Sequence, residues 1–167
     1  MKKTVYISVA LLAIGLSFWG VRKWLTREET IIRNTLKELA AEASFTRSES
    51  ALVKLTYGDN LTSFFTRQVV LNLTGVPAEA AAIEGRDRLR DLARLARASI
   101  EQLQVKFFDI QPVVAPDRQS AITHLTVMVE INQDKNNTIV QELKLGLQKV
   151  DGKWLIHQIE TVRVFER

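Results

Sequence analysis

Few side chains in this sequence can move a proton, and they are scattered along it. Asp109 stands in the run Phe107-Phe108-Asp109-Ile110, an acid inside an apolar strand pattern. Buried there, its carboxyl would hold its proton more tightly and could act as an acid or a base; close to a turn, it is a solvated acid. His157 falls on the last strand with Leu155 and Ile159. It is the better placed of the two histidines to be a pocket base, and the plain alternative is a packed or surface imidazole. His124 shares a strand face with Met128 and Glu130, which suits a base inside a pocket or a half-exposed pairing surface. Asp59 reads as a helix-end or turn residue. Arg86, Arg90, Arg94 and Arg97 recur at spacings of four, four and three, a stripe down one side of a helix. Asp87 and Asp91 each precede an arginine by three and partly neutralise it. Such a stripe can meet phosphates or an acidic partner, or simply face solvent.

Composition removes other chemistries. With no Cys and two His, the chain has no disulfide, thiolate zinc site, cysteine nucleophile or lipid-modified cysteine, and no histidine-based metal cluster is expected. It shows no Gly-rich phosphate loop and no Ser/His/Asp signature, so no cofactor is implied.

The elements that must position these residues centre on a C-terminal hairpin. Asp151-Gly152 separates two apolar-rich runs, the strongest short-range signal for a hairpin turn, because Gly accepts the positive φ required. Before the turn, Ile139, Gln141, Leu143, Leu145 and Leu147 share one face, a period of two. After it, Trp154, Ile156, Val162 and Val164 share one parity, and Leu155, Ile159 and Phe165 the other. A strand apolar on both faces belongs in the middle of a sheet or against a partner. Gln102–Val114 and Ser120–Asn132 are two further strands, with Asp134–Asn137 a turn. The four make an antiparallel meander.

Upstream, Thr26-Arg27-Glu28-Glu29 is a capping box opening a helix with Ile32, Leu36, Leu39, Ala40 and Ala43 on one face. Thr46-Arg47-Ser48-Glu49 is a second box, opening a shorter helix that ends at Tyr57-Gly58-Asp59-Asn60. Leu61–Leu73 reads as a strand, Ala78–Ile83 as a loop or helical turn, and Gly85–Ile100 as a helix with Leu89, Leu92, Ala93, Ala96 and Ile100 on its apolar face.

Thr4–Val21 is an 18-residue run without a charge. At 1.5 Å per residue it spans roughly 27 Å, close to a bilayer core. Basic pairs flank it, and Trp19 and Trp24 lie near its end, where aromatic rings favour the interface. Residues 1–25 are therefore expected to be an uncleaved transmembrane anchor, and 26–167 one α+β domain on the extracytoplasmic side. The alternative is a cleaved signal peptide, for which the run is long and lacks a small-residue cleavage site. The net charge of +4 resides in Lys2, Lys3, Arg22 and Lys23; the remaining chain balances 19 basic against 19 acidic residues. A nucleic-acid binder would carry its excess on the folded domain, so no nucleic-acid partner is expected.

Three stretches carry a resemblance: Leu55-Thr56-Tyr57-Gly58-Asp59-Asn60-Leu61, Ile83-Glu84-Gly85-Arg86-Asp87-Arg88-Leu89, and Lys149-Val150-Asp151-Gly152-Lys153-Trp154. With the order of elements, the chain resembles the nuclear transport factor 2-like superfamily, the cystatin-like cone that includes SnoaL-type cyclases and ketosteroid isomerases, over about Glu28 to Arg163. The resemblance implies a curved antiparallel sheet wrapped around the helices, an apolar pocket, and in many members pairing through the outer sheet face. Phe64, Phe65 and Trp154 are then candidates to line the pocket, and Ile122, Met128 and Val164 to form the outer face. Members like ketosteroid isomerase carry a catalytic Asp where this chain has Phe64 and Phe65, and a Tyr on the first helix where it has none. The expectation is an interaction or ligand-holding module of the cell envelope, a homodimer or a partner of another envelope protein. The alternative is a binder of a small apolar ligand, or an enzyme, using Asp109 or His157.

Overall fold

The computed structural model describes residues 27–46, 48–75, 81–133 and 138–165. The first helix, α1, covers residues 27–43 and buries Ile32, Leu36, Leu39 and Ala40 along one stripe, as a spacing of three and four requires. α2 is Ala51–Thr62 and α3 is Arg86–Ser99. Six strands follow the order β2-β1-β6-β5-β4-β3 across one sheet: β1 Phe65–Asn72, β2 Ala82–Glu84, β3 Leu103–Val114, β4 Ser120–Ile131, β5 Thr138–Val150 and β6 Lys153–Phe165. The helices cover one face, where Ile32, Leu36 and Leu89 join Leu125, Leu145, Leu147, Trp154 and Ile156 in a single core. The architecture is α+β, with helices against a curved mixed sheet.

The meander β3-β4-β5-β6 is antiparallel throughout, and Asp151 (φ 50) and Gly152 (φ 79) both take the left-handed backbone of its tight turn. β6 lies between β1 and β5. Opposite Gly146 and Leu147 its register slips at residues 157–158. A bulge reverses the alternation, so Ile156 and Ile159, of opposite parity, are both buried.

Four expectations need correction. The sheet is mixed, because β1 runs parallel to β6; alternation reports which face a residue takes, not the direction of the neighbouring strand. Tyr57-Gly58-Asp59-Asn60 lies inside α2, which continues to Thr62, so β1 begins only at Phe65. Of the second capping box only the Thr46 N–H to Glu49 Oε1 bond (3.1 Å) forms; Ser50 caps the helix, accepting from Val53 N. Residues 82–84 form an edge strand paired with β1, where a loop or turn was expected.

Among the described residues no helix is long and apolar enough to cross a membrane. Thr4, Trp19, Val21 and Trp24 lie outside the described residues.

Candidate functional site

The two faces of the sheet divide the candidates. On the inner face, Ile32, Leu36, Val69, Leu125, Leu145, Leu147 and Ile156 are all fully buried, and their aliphatic side chains fill the space between sheet and helices. Phe65 is 5% exposed and Trp154 2%. Both are core residues rather than the lining of an open pocket, and Phe64 packs against the same core. Trp154 Nε1 donates to Glu28 Oε2 (2.7 Å), and Lys149 Nζ donates to Glu28 Oε1 (2.7 Å). These bonds tie the first turn of α1 to the end of the β5–β6 hairpin. The hydrogen bond from Lys149, then that from Trp154, hold the Glu28 carboxyl below its ordinary pKa against the opposing effect of burial.

The outer face carries the histidines. Successive registers place Gln111, His124, Lys144 and Glu160 in one row across β3 to β6, and Val113, Ile122, Gly146 and Gln158 in the next. His124 is exposed. His157 lies over Gly146, so closely that a β-carbon at 146 would sit 2.7 Å from the imidazole Nε2. The bulge aims this ring outward and the absent side chain gives it room. Lys144 Nζ is 3.8 Å from Glu160 Oε2, and Gln158 Nε2 donates to Glu160 Oε1 (2.7 Å). Val113, Ser120, Ile122, Lys144, His157 and Glu160 line a cleft of about 360 Å³. It sets an imidazole, an ammonium and a carboxylate beside aliphatic walls, and can hold a small amphipathic molecule or a partner's side chain. Lys144 and Glu160 were missed from the sequence because they look like ordinary wet-face residues. The available signal was Gly146, a lone glycine inside a strand pattern, which marks a bulge or a close approach.

Asp109 is exposed, with φ 51, at the register slip between Phe108 and Gln111. The bulge turns it toward water, so the buried acid that the strand pattern allowed is not formed. Met128 is half-buried on the outer face and Ile122 exposed; Val164 pairs in register with the buried Gln141, and its side chain lies outside the described residues. Phe108, Val113, Ile122 and Val162 expose substantial apolar surface on strands β3, β4 and β6. Among the described residues no cluster of three His, Asp or Glu could hold a metal ion.

The arginine stripe is engaged inside the domain. Arg90 and Arg94 pair with Asp59 of α2, and Arg86 Nη1 donates to Phe65 O. Arg97, whose side chain is 7% exposed, meets Glu49 at 2.6 Å and lies 4.2 Å above the Phe45 ring. Phe45 packs edge-on against Tyr57, whose hydroxyl donates to Ala43 O; burial pushes the Tyr57 pKa up to about 12. Asp59 and Gly58, expected to stop the helix, instead join α2 to α3. A β-carbon at Gly58 would stand 3.0 Å from the Arg90 and Arg94 stems.

No protein-family model matches the chain, and no curated protein matches it. Solved structures do. An NTF2-like protein of unknown function from Pseudomonas putida aligns with a TM-score of 0.64 at 11% identity, over 84% of this chain and 89% of that one. An NTF2-like protein with a cystatin-like fold from Novosphingobium aromaticivorans aligns with a TM-score of 0.63 at 12% identity, over 87% and 88%. A hexachlorocyclohexane dehydrochlorinase aligns with a TM-score of 0.58 at 10% identity, over 87% and 91%. At these identities the likeness is one of fold, and the fold is the NTF2-like, cystatin-like one.

Proposed function

We propose that the domain is a non-catalytic interaction module that pairs through its outer sheet face with a second copy of the chain, while the charge-free run Thr4–Val21 holds it at a membrane, on the extracytoplasmic side. The observation that supports this reading is the contrast between the two faces. The inner face, where this fold can keep a ligand pocket, is filled with aliphatic side chains. The outer face leaves Phe108, Val113, Ile122 and Val162 in water. Lys144 and Glu160 sit side by side near its middle, each about two-fifths exposed, so a two-fold copy can set each lysine against the partner's glutamate. Two domains tethered in one bilayer also meet at a raised effective concentration.

The test is the oligomeric state of the full-length protein released gently from membranes, by native mass spectrometry. The unaltered chain gives a dimer; Ile122→Lys gives a monomer with an unchanged circular-dichroism spectrum. A dimer population that Ile122→Lys leaves intact overturns the reading.

A second reading rests on the cleft around His157. There the outer face holds a small apolar or amphipathic ligand, with His157 as its polar partner or base. Then His157→Ala abolishes binding or turnover while the dimer and the fold persist. Fold likeness to a dehydrochlorinase does not choose between the readings, since this fold hosts many functions.

A further inference from the structure

We infer that a second cleft, between β1, the start of α3 and the β5–β6 hairpin, binds the phosphate headgroup of an anionic lipid, so that the domain rests with this end on the bilayer. The inference builds on the membrane-anchoring reading above and adds the end of the domain and the residues that meet the lipid.

Position comes first. The bonds from Lys149 and Trp154 to Glu28 hold the beginning of α1 against the hairpin end. Five residues, 22–26, separate Val21 from Arg27. Even fully extended, that stretch reaches only about 20 Å. Whatever its conformation, the hairpin end is therefore kept near the end of the apolar run. The opposite end of the sheet lies a strand away, roughly 40 Å for β5 at about 3.3 Å per residue.

The chemistry agrees. The cleft, about 460 Å³, is lined by Thr66, Arg67, Arg86, Asp151 and Leu155 among others. Arg67 is exposed, on the strand that forms one wall of the cleft. Arg86 uses one guanidinium nitrogen on Phe65 O and keeps the remainder of its fork for another acceptor. Thr66, 8% exposed, belongs to the cleft wall, and its hydroxyl is not committed to a partner within the described residues. Asp151 contributes a carboxylate to the same rim, which leaves the cleft one positive charge in excess. Two guanidinium groups lining one cleft are a phosphate-binding pair.

The absence of Cys makes the test direct. The full-length chain carrying Lys153→Cys, at the hairpin, or Ala98→Cys, near the far end of α3, is labelled with a fluorophore. It is reconstituted into vesicles of phosphatidylcholine alone or mixed with phosphatidylglycerol, each containing a lipid-borne quencher. The label at 153 is expected to be quenched strongly only with phosphatidylglycerol, and the label at 98 weakly in both. Arg67→Glu should lower the docked-to-free ratio about fivefold or more, as loss of one basic contact with an anionic surface does, whereas Arg67→Lys should keep most of it. Equal quenching at 153 and 98, or indifference to phosphatidylglycerol, overturns the inference while the anchor stands. Inorganic phosphate that abolishes the phosphatidylglycerol effect at matched ionic strength reassigns the cleft to a free anion and overturns the lipid assignment. Protein washed off the vesicles by alkaline carbonate instead refutes the anchor itself.

Discussion

Arg97 is an ion-pairing residue built into a small aromatic core. Its guanidinium lies over Phe45, reaches Glu49 and donates to Thr46 O, while its side chain is almost entirely covered. Removing one partner from a covered pair leaves the other charge uncompensated. Arg97→Ala should therefore cost about 3 kcal/mol of stability, read as a lowered midpoint in chemical denaturation. Arg97→Lys should recover only part, because an ammonium lacks the planar surface that stacks on the ring. An Arg97→Ala midpoint equal to that of the unaltered protein would contradict the clamp. Gly146 acts at the same scale through what it lacks. Gly146→Ala places a methyl where the His157 imidazole lies. Because the ring can rotate away, stability should change by less than about 1 kcal/mol, while the imidazole NMR signals of His157 move. Unmoved signals would refute the close approach. The stripe to which Arg97 belongs was visible from its spacing; that it turns inward to α2 was not, because Asp59 and Glu49 lie far from it along the chain.

At the scale of elements, two joints determine how the pieces sit. α2 and α3 meet through Asp59 with Arg90 and Arg94, across the gap that Gly58 leaves open. α1 meets the β5–β6 hairpin through Glu28, Lys149 and Trp154. The second joint makes stability depend on pH. The native state holds the Glu28 pKa below the ordinary value of 4.5, so the unfolded chain takes up the proton more readily. The stabilisation is thus present above about pH 4.5 and is lost as pH falls through the depressed native value. Thermal melts of Glu28→Gln should lie below those of the unaltered protein at neutral pH and converge with them on acidification. A gap that stays constant down to acid pH would show that Glu28 does not carry this dependence. Bulges decide the remaining geometry of the elements: the one at residues 157–158 moves the buried positions of β6 from even to odd, and the one beside Asp109 turns that carboxyl outward.

Across the whole molecule, the aliphatic inner face and the partly apolar outer face divide stability from the proposed association. Loss of Ile122 as a contact should affect pairing and leave folding alone, because its side chain is already 47% exposed in the single chain. The cleft at the hairpin end adds a direction to that arrangement, since the domain can pair side by side only if both copies stand on the same end. Much of this was legible in the sequence. Period-two alternation and the Asp151-Gly152 turn specified the four-strand meander, and of the two places open to a doubly apolar last strand, mid-sheet or against a partner, β6 takes the one between β1 and β5. The stripe Ile32-Leu36-Leu39-Ala40 specified the face of α1. Each is a local consequence of residue type and backbone period. Only the tertiary structure decided that β1 runs parallel to β6, that Trp154 and Phe65 fill the core, and that His157 rests on Gly146. The same holds for the meeting of Thr66, Arg67 and Arg86 with the hairpin end. These depend on segments tens of residues apart coming together, and on bulges that shift register by one residue, which no single stretch of sequence encodes.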